Sequence, residues 1–126
     1  MALTFDQFNY GWTQGLPEEE ARRLYDAFHV AAPGIPLFEA ATTNFNPFSG
    51  AKVDTKNPNR GPLLIIAGEN DNTVPWALSN AAYKRQRRNP APTEITELTG
   101  RGHSLILDHG WKEVAETALD FFKQHS

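Results

Sequence analysis

The most apolar run of the chain lies at residues 63–67, where five apolar residues follow one another with no polar position between them. Strands that are covered on both faces of a parallel sheet have such uninterrupted runs. A second segment, TEITEL, is rich in β-branched residues and follows a turn at NPAP. We therefore predict two strands, Leu63–Ala67 and Thr93–Leu98.

Before the first strand the pattern predicts two helices. Pro17 suits the first turn of a helix, and the three glutamates that follow it suit the positive end of the helix dipole, so a helix is expected from Pro17 to about His29. His29 is interpreted as part of the helix end rather than as a ligand. A shorter helix is expected at Pro36–Ala41. Residues 2–15 are aromatic and irregular, with rings that either pack on a neighbouring element or form the wall of a pocket.

Between the two predicted strands the sequence favours a helix with Pro75 in its first turn and Thr73 as its N-cap, which runs to about Arg88. A strand, a crossover helix and a second strand in this order predict a right-handed βαβ unit with parallel strands. The last helix is predicted at Trp111–Gln124. The positions expected to face the core are Val74, Leu78, Ala81 and Ala82 in the first of these helices, and Trp111, Val114, Ala115, Ala118, Leu119 and Phe122 in the second.

Three segments of different composition divide the chain. Residues 1–49 are helical and aromatic, residues 50–61 form a polar connector, and residues 62–126 alternate between strands and helices. A length of 126 residues corresponds to about one domain or part of one. The predicted fold class is α/β.

The composition excludes several classes of protein. Apolar residues make up 40% of the chain, charged residues 21%, and the net charge is −3, so neither intrinsic disorder nor bulk affinity for nucleic acid is indicated. The absence of cysteine excludes disulfides, thiolate zinc sites and cysteine nucleophiles. The sequence has no leader pattern and no stretch of about 18 apolar residues, so we expect a cytoplasmic protein that does not bind membranes.

Two ionisable residues occupy equivalent places after the two strands. Asp71 lies in GENDNTVP and His103 lies in GRGHS. Functional groups of open α/β sheets gather at the carboxyl ends of the strands, and parallel neighbours are about 4.8 Å apart, so the two side chains can form a hydrogen bond. Such a pair is the orienting half of a Ser-His-acid triad. A metal site formed by Asp71, His103, Asp108 and His109 is not favoured, because these residues show no ligand-spacing motif. Gly100 and Gly102 lack the rest of a dinucleotide-binding fingerprint. No cofactor is therefore expected.

The motifs GENDNTVP, GRGHS and DHGWKEV together resemble the C-terminal half of an α/β-hydrolase-fold serine hydrolase of the esterase, lipase and haloperoxidase-like group. Residues 1–49 resemble the helical cap that such enzymes insert over the active site. The resemblance implies the C-terminal part of the family's sheet, with Asp71 as the triad acid, His103 as the general base and a small ester-like substrate. The aromatic cap residues Phe8, Trp12 and Phe48 suggest a pocket for an apolar acyl or alcohol group.

The sequence departs from this family at the nucleophile. The family's elbow motif, G-x-S-x-G, is missing, and the serines lie in other settings. A two-stranded parallel sheet also has open edges. We therefore expect that a missing N-terminal half or a second copy of the chain completes the sheet, and that the chain alone is inactive. Two alternatives remain open, a binding module without catalytic activity and a structural oligomer formed by sheet pairing. The serines are Ser49, Ser79, Ser104 and Ser126.

Overall fold

A computed structural model describes residues 2–43, 50 and 53–125 of the chain. In this part the fold combines helices with a two-stranded parallel sheet, which confirms the mixed α/β content. The helices are α1 (Phe5–Gly11), α2 (Glu18–Phe28), α3 (Ile35–Thr42), α4 (Trp76–Gln86) and α5 (Trp111–Gln124), and the strands are β1 (Leu63–Gly68) and β2 (Thr93–Leu98).

The two strands pair in parallel along their whole length. The register runs from the pair Leu63–Thr93 to the pair Gly68–Leu98, so both strands end at the same edge of the sheet. Helix α4 connects them and packs against both strands, and α5 packs against β1. The predicted strand–helix–strand unit is therefore confirmed, and it places the loops after β1 and β2 side by side.

The N-terminal segment is helical, and the prediction of an irregular segment at residues 2–15 is wrong for α1. Thr4 caps this helix, because its hydroxyl accepts a hydrogen bond from the Gln7 backbone N–H while the Gln7 side chain accepts one from the Thr4 backbone N–H. This reciprocal pattern is a capping box, which satisfies two otherwise unpaired backbone donors. Helix α1 packs on α2, where the ring of Phe8 meets the ring of Tyr25 edge to face at 5.3 Å.

Helices α2 and α3 agree with the predicted segments. His29 ends α2, where its backbone N–H donates to the carbonyl of Tyr25 and its ring stacks on the Tyr25 ring at 4.4 Å. The connector, residues 50–61, is hydrogen-bonded to the strand–helix–strand unit near the start of β2. There the buried side chain of Asn89 donates to the carbonyls of Thr55 and Asn57. The guanidinium of Arg60 similarly donates to the Thr93 hydroxyl at 2.8 Å.

Two of the predicted inward faces are largely uncovered. In α4, Leu78 is 59% exposed, and Thr73 does not cap this helix, whose N-cap is Pro75. In α5 the buried apolar residues are Val114 and Phe121, whereas several residues of the predicted face are exposed. The physical reason is the size of the sheet, because two strands cannot cover the apolar faces of both helices. The exposed residues of the predicted α5 face are Trp111, Ala115, Leu119 and Phe122.

The buried apolar residues of the described chain form a small set. They come from α1 and α2 on one side and from the strands and α5 on the other. Within the described residues no helix has the length and apolarity needed to cross a membrane. The buried set consists of Phe8, Ala21, Leu24, Ala67, Leu98, Val114 and Phe121.

Candidate active site

The loops that follow β1 and β2 are hydrogen-bonded to each other. The backbone N–H of Glu69 donates to the carbonyl of Leu98, and the N–H of Asn70 donates to the carbonyl of Arg101 at 2.8 Å. Gly68 permits this contact, since a Cβ atom there would lie 2.6 Å from the Arg101 carbonyl oxygen. The strand ends thereby bring the two loops into direct backbone contact.

Asp71 lies in the first of these loops and its carboxylate is almost fully engaged. Oδ1 accepts hydrogen bonds from the backbone N–H groups of Thr73 at 2.8 Å and Val74 at 2.7 Å. Oδ2 lies 2.8 Å from Nδ1 of His103. The side chain is 6% exposed, so its orientation is fixed by the turn that leads into α4. Asp71 therefore stabilises the turn before α4, whose N-cap, Pro75, has no side-chain capping bond.

His103 lies in the second loop, and its ring is held by the Asp71 carboxylate. A carboxylate accepts hydrogen bonds, so Nδ1 is the donor in this contact and Nε2 is the ring nitrogen that does not contact Asp71. Among residues 2–43, 50 and 53–125, no side chain or backbone group hydrogen-bonds to Nε2. The side chain is 24% exposed. We call Asp71 and His103 the dyad.

A buried charge pair shapes the loop that carries His103. Asp108 is fully buried and accepts hydrogen bonds from the Arg101 guanidinium, from the Ser104 hydroxyl at 2.8 Å and from the Gly110 backbone N–H at 2.9 Å. Arg101 also pairs with Glu113 in α5 at 3.0 Å. These bonds connect both ends of the loop to α5, so Asp108 braces the loop.

His109 is exposed and pairs with Glu20. Its Nδ1 lies 2.7 Å from Oε2 of Glu20 in α2, and its backbone N–H donates to Oε1 at 2.8 Å. Burial acts to raise the pKa of the Glu20 carboxyl, but the hydrogen bonds from His109 and the charges of His109 and Arg23 together lower this pKa below its usual value. The contact joins the N-terminal helices to the loop beyond the dyad.

Residues 10–15, which we call the bracket segment, cross both dyad loops. The carbonyl of Tyr10 accepts a hydrogen bond from the Asn72 side chain at 3.0 Å, and the carbonyl of Gly11 accepts one from the Thr73 hydroxyl at 2.5 Å. The ring of Trp12 meets the ring of His103 edge to face, with centroids 4.8 Å apart and planes at 82°. The bracket segment therefore contacts His103 directly.

The predicted pocket residues separate into two groups. Phe8 and Trp12 line one small apolar pocket of about 260 Å³ between α1 and the end of α2. Phe48 lies outside the described residues. Trp12 thus faces this pocket as well as His103, which makes it the residue shared by the pocket and the dyad. Further lining residues are Leu3, Phe28, Val30 and Pro33.

A second, larger groove of about 500 Å³ runs along the edge of β1 that faces away from β2. It is lined by both Ile65 and Ile66, whose side chains point to opposite faces of the sheet because strand residues alternate. Leu78 forms part of its wall, and Asp71 and His103 lie at its end. In the described part of the chain no strand pairs with this edge.

No serine in the described residues has the setting of a nucleophile elbow. Ser79 lies within α4, and the hydroxyl of Ser104 donates to Asp108. Groups of three or more histidine, aspartate or glutamate residues that could hold a metal ion are likewise not found in the part that the structure describes. Asp71 and His103 both line the groove.

No family model, curated protein or solved structure matches the chain. The function must therefore be inferred from the dyad, the groove and the pocket themselves.

Sequence reasoning missed the bracket segment. The capping box formed by Thr4 and Gln7 was the signal that could have identified α1, because a threonine followed by glutamine three residues later is a helix start. With α1 placed, Trp12 falls at the C-cap of a helix rather than in an irregular segment. Its contact with His103, however, spans most of the chain and has no local signature.

Proposed function

We propose that the chain is a portion of a serine hydrolase of the α/β-hydrolase type, consisting of a helical cap and the C-terminal part of the sheet. In this proposal Asp71 is the acid and His103 the general base of a Ser-His-Asp triad for ester-type hydrolysis. The nucleophile comes from outside the chain. The observation that carries the proposal is the 2.8 Å contact between Nδ1 of His103 and Oδ2 of Asp71 at the carboxyl ends of two parallel strands.

The immobilised carboxylate supports an orienting role for Asp71. Its Oδ1 atom is occupied by two backbone N–H groups, which leaves Oδ2 to fix the imidazole. An acid in this arrangement holds the tautomer with the proton on Nδ1 and stabilises the imidazolium that forms during reaction. Stabilising the turn before α4 would require only the first of these two oxygens.

The chemistry follows from Nε2 of His103, which has no hydrogen-bond partner in the described part of the chain. Nε2 accepts the proton of an attacking serine hydroxyl, the serine oxygen forms a bond to the ester carbonyl carbon, and the same proton then passes to the departing alkoxide. Water repeats the cycle on the acyl-enzyme and releases the acid. The ring must keep its orientation through both halves, which the bond to Asp71 provides.

The groove along β1 supports the expectation that another element completes the site. β1 is uniformly apolar, no strand of the described residues pairs with its second edge, and the wall residue Leu78 is exposed. An unpaired apolar edge is a template for strand addition. Because the groove ends at the dyad, a strand added there would bring its own following loop close to His103, which is where a nucleophile is needed.

The substrate class in this proposal is a small ester with an apolar acyl or alcohol group. The pocket lined by Phe8 and Trp12 is apolar and is adjacent to the dyad through Trp12. A volume of about 260 Å³ is slightly below the usual range of ligand pockets, which favours a short group.

The test combines labelling with reconstitution. The purified chain alone should not react with a fluorophosphonate probe and should not hydrolyse a short-chain p-nitrophenyl ester. Co-expression with the polypeptide encoded directly upstream should give labelling of a serine in that polypeptide and ester hydrolysis. His103→Ala should then lower the rate about 100-fold or more, the usual contribution of a general base. His125→Ala serves as the control, since His125 pairs with Glu94 away from the dyad.

Two results would contradict the proposal. Labelling of any serine within this chain would mean that the nucleophile had been misassigned. An upstream polypeptide that binds the chain, contains an elbow serine and leaves the His103→Ala complex fully active would remove His103 from the mechanism.

A second candidate function is a binding or oligomerisation module without catalytic activity, favoured by the same open edge of β1. In that case the chain forms a stable dimer through the groove and no combination with an upstream polypeptide gives ester hydrolysis. Sedimentation at several concentrations and the labelling experiment together separate the two candidates.

A further inference from the structure

We propose that Trp12 is a positioning residue for His103, so that the N-terminal bracket segment, and not only Asp71, sets the orientation of the imidazole. The inference deepens the proposed function and rests on it for its catalytic meaning. The geometry that carries it is independent of any nucleophile, because it concerns only residues 10–15 and the two dyad loops.

Asp71 by itself fixes one atom of the His103 ring. A single hydrogen bond at Nδ1 still allows the ring to tilt about the line between Nδ1 and Oδ2. The Trp12 ring removes this freedom, since it meets the imidazole edge to face at 4.8 Å and 82°. Aromatic pairs prefer such perpendicular arrangements at centroid distances of about 4.5–7 Å. One bond and one ring contact thus define the imidazole plane.

Trp12 is itself supported by the ring of Phe8 and by the backbone bond at Gly11. Its ring stacks on Phe8 at 6.1 Å with planes 9° apart, and Phe8 is buried between α1 and α2. The residue before it in sequence, Gly11, accepts the hydrogen bond from Thr73. These contacts limit the movement of the Trp12 ring, which in turn limits the tilt of the His103 ring.

The bracket segment also contacts the backbone beside His103. A Cβ atom at Gly102 would lie 2.6 Å from the carbonyl oxygen of Gln14, so the two chains touch at this point. A side chain at residue 102 would separate them. The bracket segment therefore packs against the loop of His103 at the residue immediately before the histidine. This contact keeps Trp12 beside the His103 ring.

The experiment observes the imidazole directly. The chain is labelled with ¹⁵N-histidine, and the nitrogen shifts and Nδ1 proton exchange of His103 are followed, with His103→Gln to assign its signals. In Trp12→Ala we expect the His103 shifts to move towards those of a mixture of tautomers and the Nδ1 proton to exchange at least about tenfold faster. Trp12→Phe keeps an aromatic ring and should restore most of the wild-type signal.

Controls within the same protein separate a local effect from unfolding. Tyr10→Ala changes an exposed side chain of the same segment but keeps the carbonyl that binds Asn72, and should leave His103 unchanged. The signals of His109 and His125, which have their own carboxylate partners, report whether the fold is intact. If Trp12→Ala unfolds, Trp12→Leu provides the same test with an apolar side chain and no ring.

Wild-type shifts and exchange of His103 in a folded Trp12→Ala or Trp12→Leu protein would overturn the positioning role. This outcome is distinct from failure of the proposed function. A changed His103 signal together with an inactive reconstituted complex would keep the role of Trp12 and remove the hydrolase assignment, whereas the opposite pair of results would do the reverse.

Discussion

Replacement of Asp108 should destabilise the protein far more than its place in a surface loop suggests. The fully buried carboxylate accepts bonds from Arg101, Ser104 and Gly110. In Asp108→Ala the guanidinium loses its buried partner, and the buried Ser104 hydroxyl loses its acceptor. Breaking a buried charge pair costs about 3–5 kcal/mol, and an unsatisfied buried hydroxyl about 1–3 kcal/mol.

The remaining partners of Arg101 reduce this cost. Glu113 and the carbonyls of Gly110 and Leu105 still accept bonds from the guanidinium, so we expect a total of about 3 kcal/mol for Asp108→Ala. Asp108→Asn keeps the shape and one acceptor oxygen but loses the charge. It should cost about 1–2 kcal/mol, the difference between a charged and a neutral hydrogen bond.

The assay is urea unfolding followed by tryptophan fluorescence and circular dichroism. Asp120→Ala is the matched control, because Asp120 is an exposed aspartate whose partner Lys123 lies 3.5 Å away, and its loss should change the free energy of unfolding by less than about 0.5 kcal/mol. A double-mutant cycle with Arg101→Met isolates the coupling of the pair. If Asp108→Ala and Asp120→Ala reduce the free energy of unfolding equally, the buried pair does not hold the loop and the reasoning fails.

Three further predictions concern the contacts around the dyad. Gly102→Ala should lower the free energy of unfolding by about 1–3 kcal/mol, because its Cβ would meet the Gln14 carbonyl. Gly61→Ala should have little effect, since a Cβ there meets nothing within 4 Å. Equal urea midpoints for the two variants would count against the close approach of Gly102 and Gln14. The lowered pKa of Glu20 implies that its contribution to stability is present above pH 4.5, the usual pKa of a glutamate, and declines as the pH falls below it. The difference in unfolding free energy between wild type and Glu20→Gln should therefore shrink in acid. Parallel curves of unfolding free energy against pH would argue against the His109 contact. Leu78→Lys places a charge in the groove beside β1 and should weaken any association seen by sedimentation at least about tenfold. Phe38→Lys on α3, which changes another exposed residue, should leave association unchanged. Unchanged association of Leu78→Lys would exclude the groove as the interface.

The strands and the last helix could be predicted from sequence because their signals are local. The apolar run Leu63–Ala67 stops at Gly68, the segment Thr93–Leu98 is followed by a turn that contains Gly100 and Gly102, and Trp111–Gln124 has an unbroken helical period. The burial of particular faces could not be predicted in the same way. Leu78 is apolar and correctly placed in a helix, yet it is exposed, because burial depends on which other elements cover it.

The candidate site was predictable only as far as topology determines it. The positions of Asp71 and His103 after two parallel neighbouring strands were sufficient to predict their contact. The contact of Trp12 with His103 was not, since it depends on how a separate helical segment packs across the loops. The bracing of the loop by Arg101 similarly requires the position of α5, which the sequence alone does not provide.

The bracket segment also has a consequence for the order of folding. The dyad contact spans 32 residues and lies within the strand–helix–strand unit, whereas the bonds from Asn72 and Thr73 to the bracket segment span 62. Contacts that are distant in sequence close larger loops and tend to form later. We expect the acid and the base to meet in an early folding step with a mobile imidazole, and the ring to become fixed only when residues 10–15 dock in the last step.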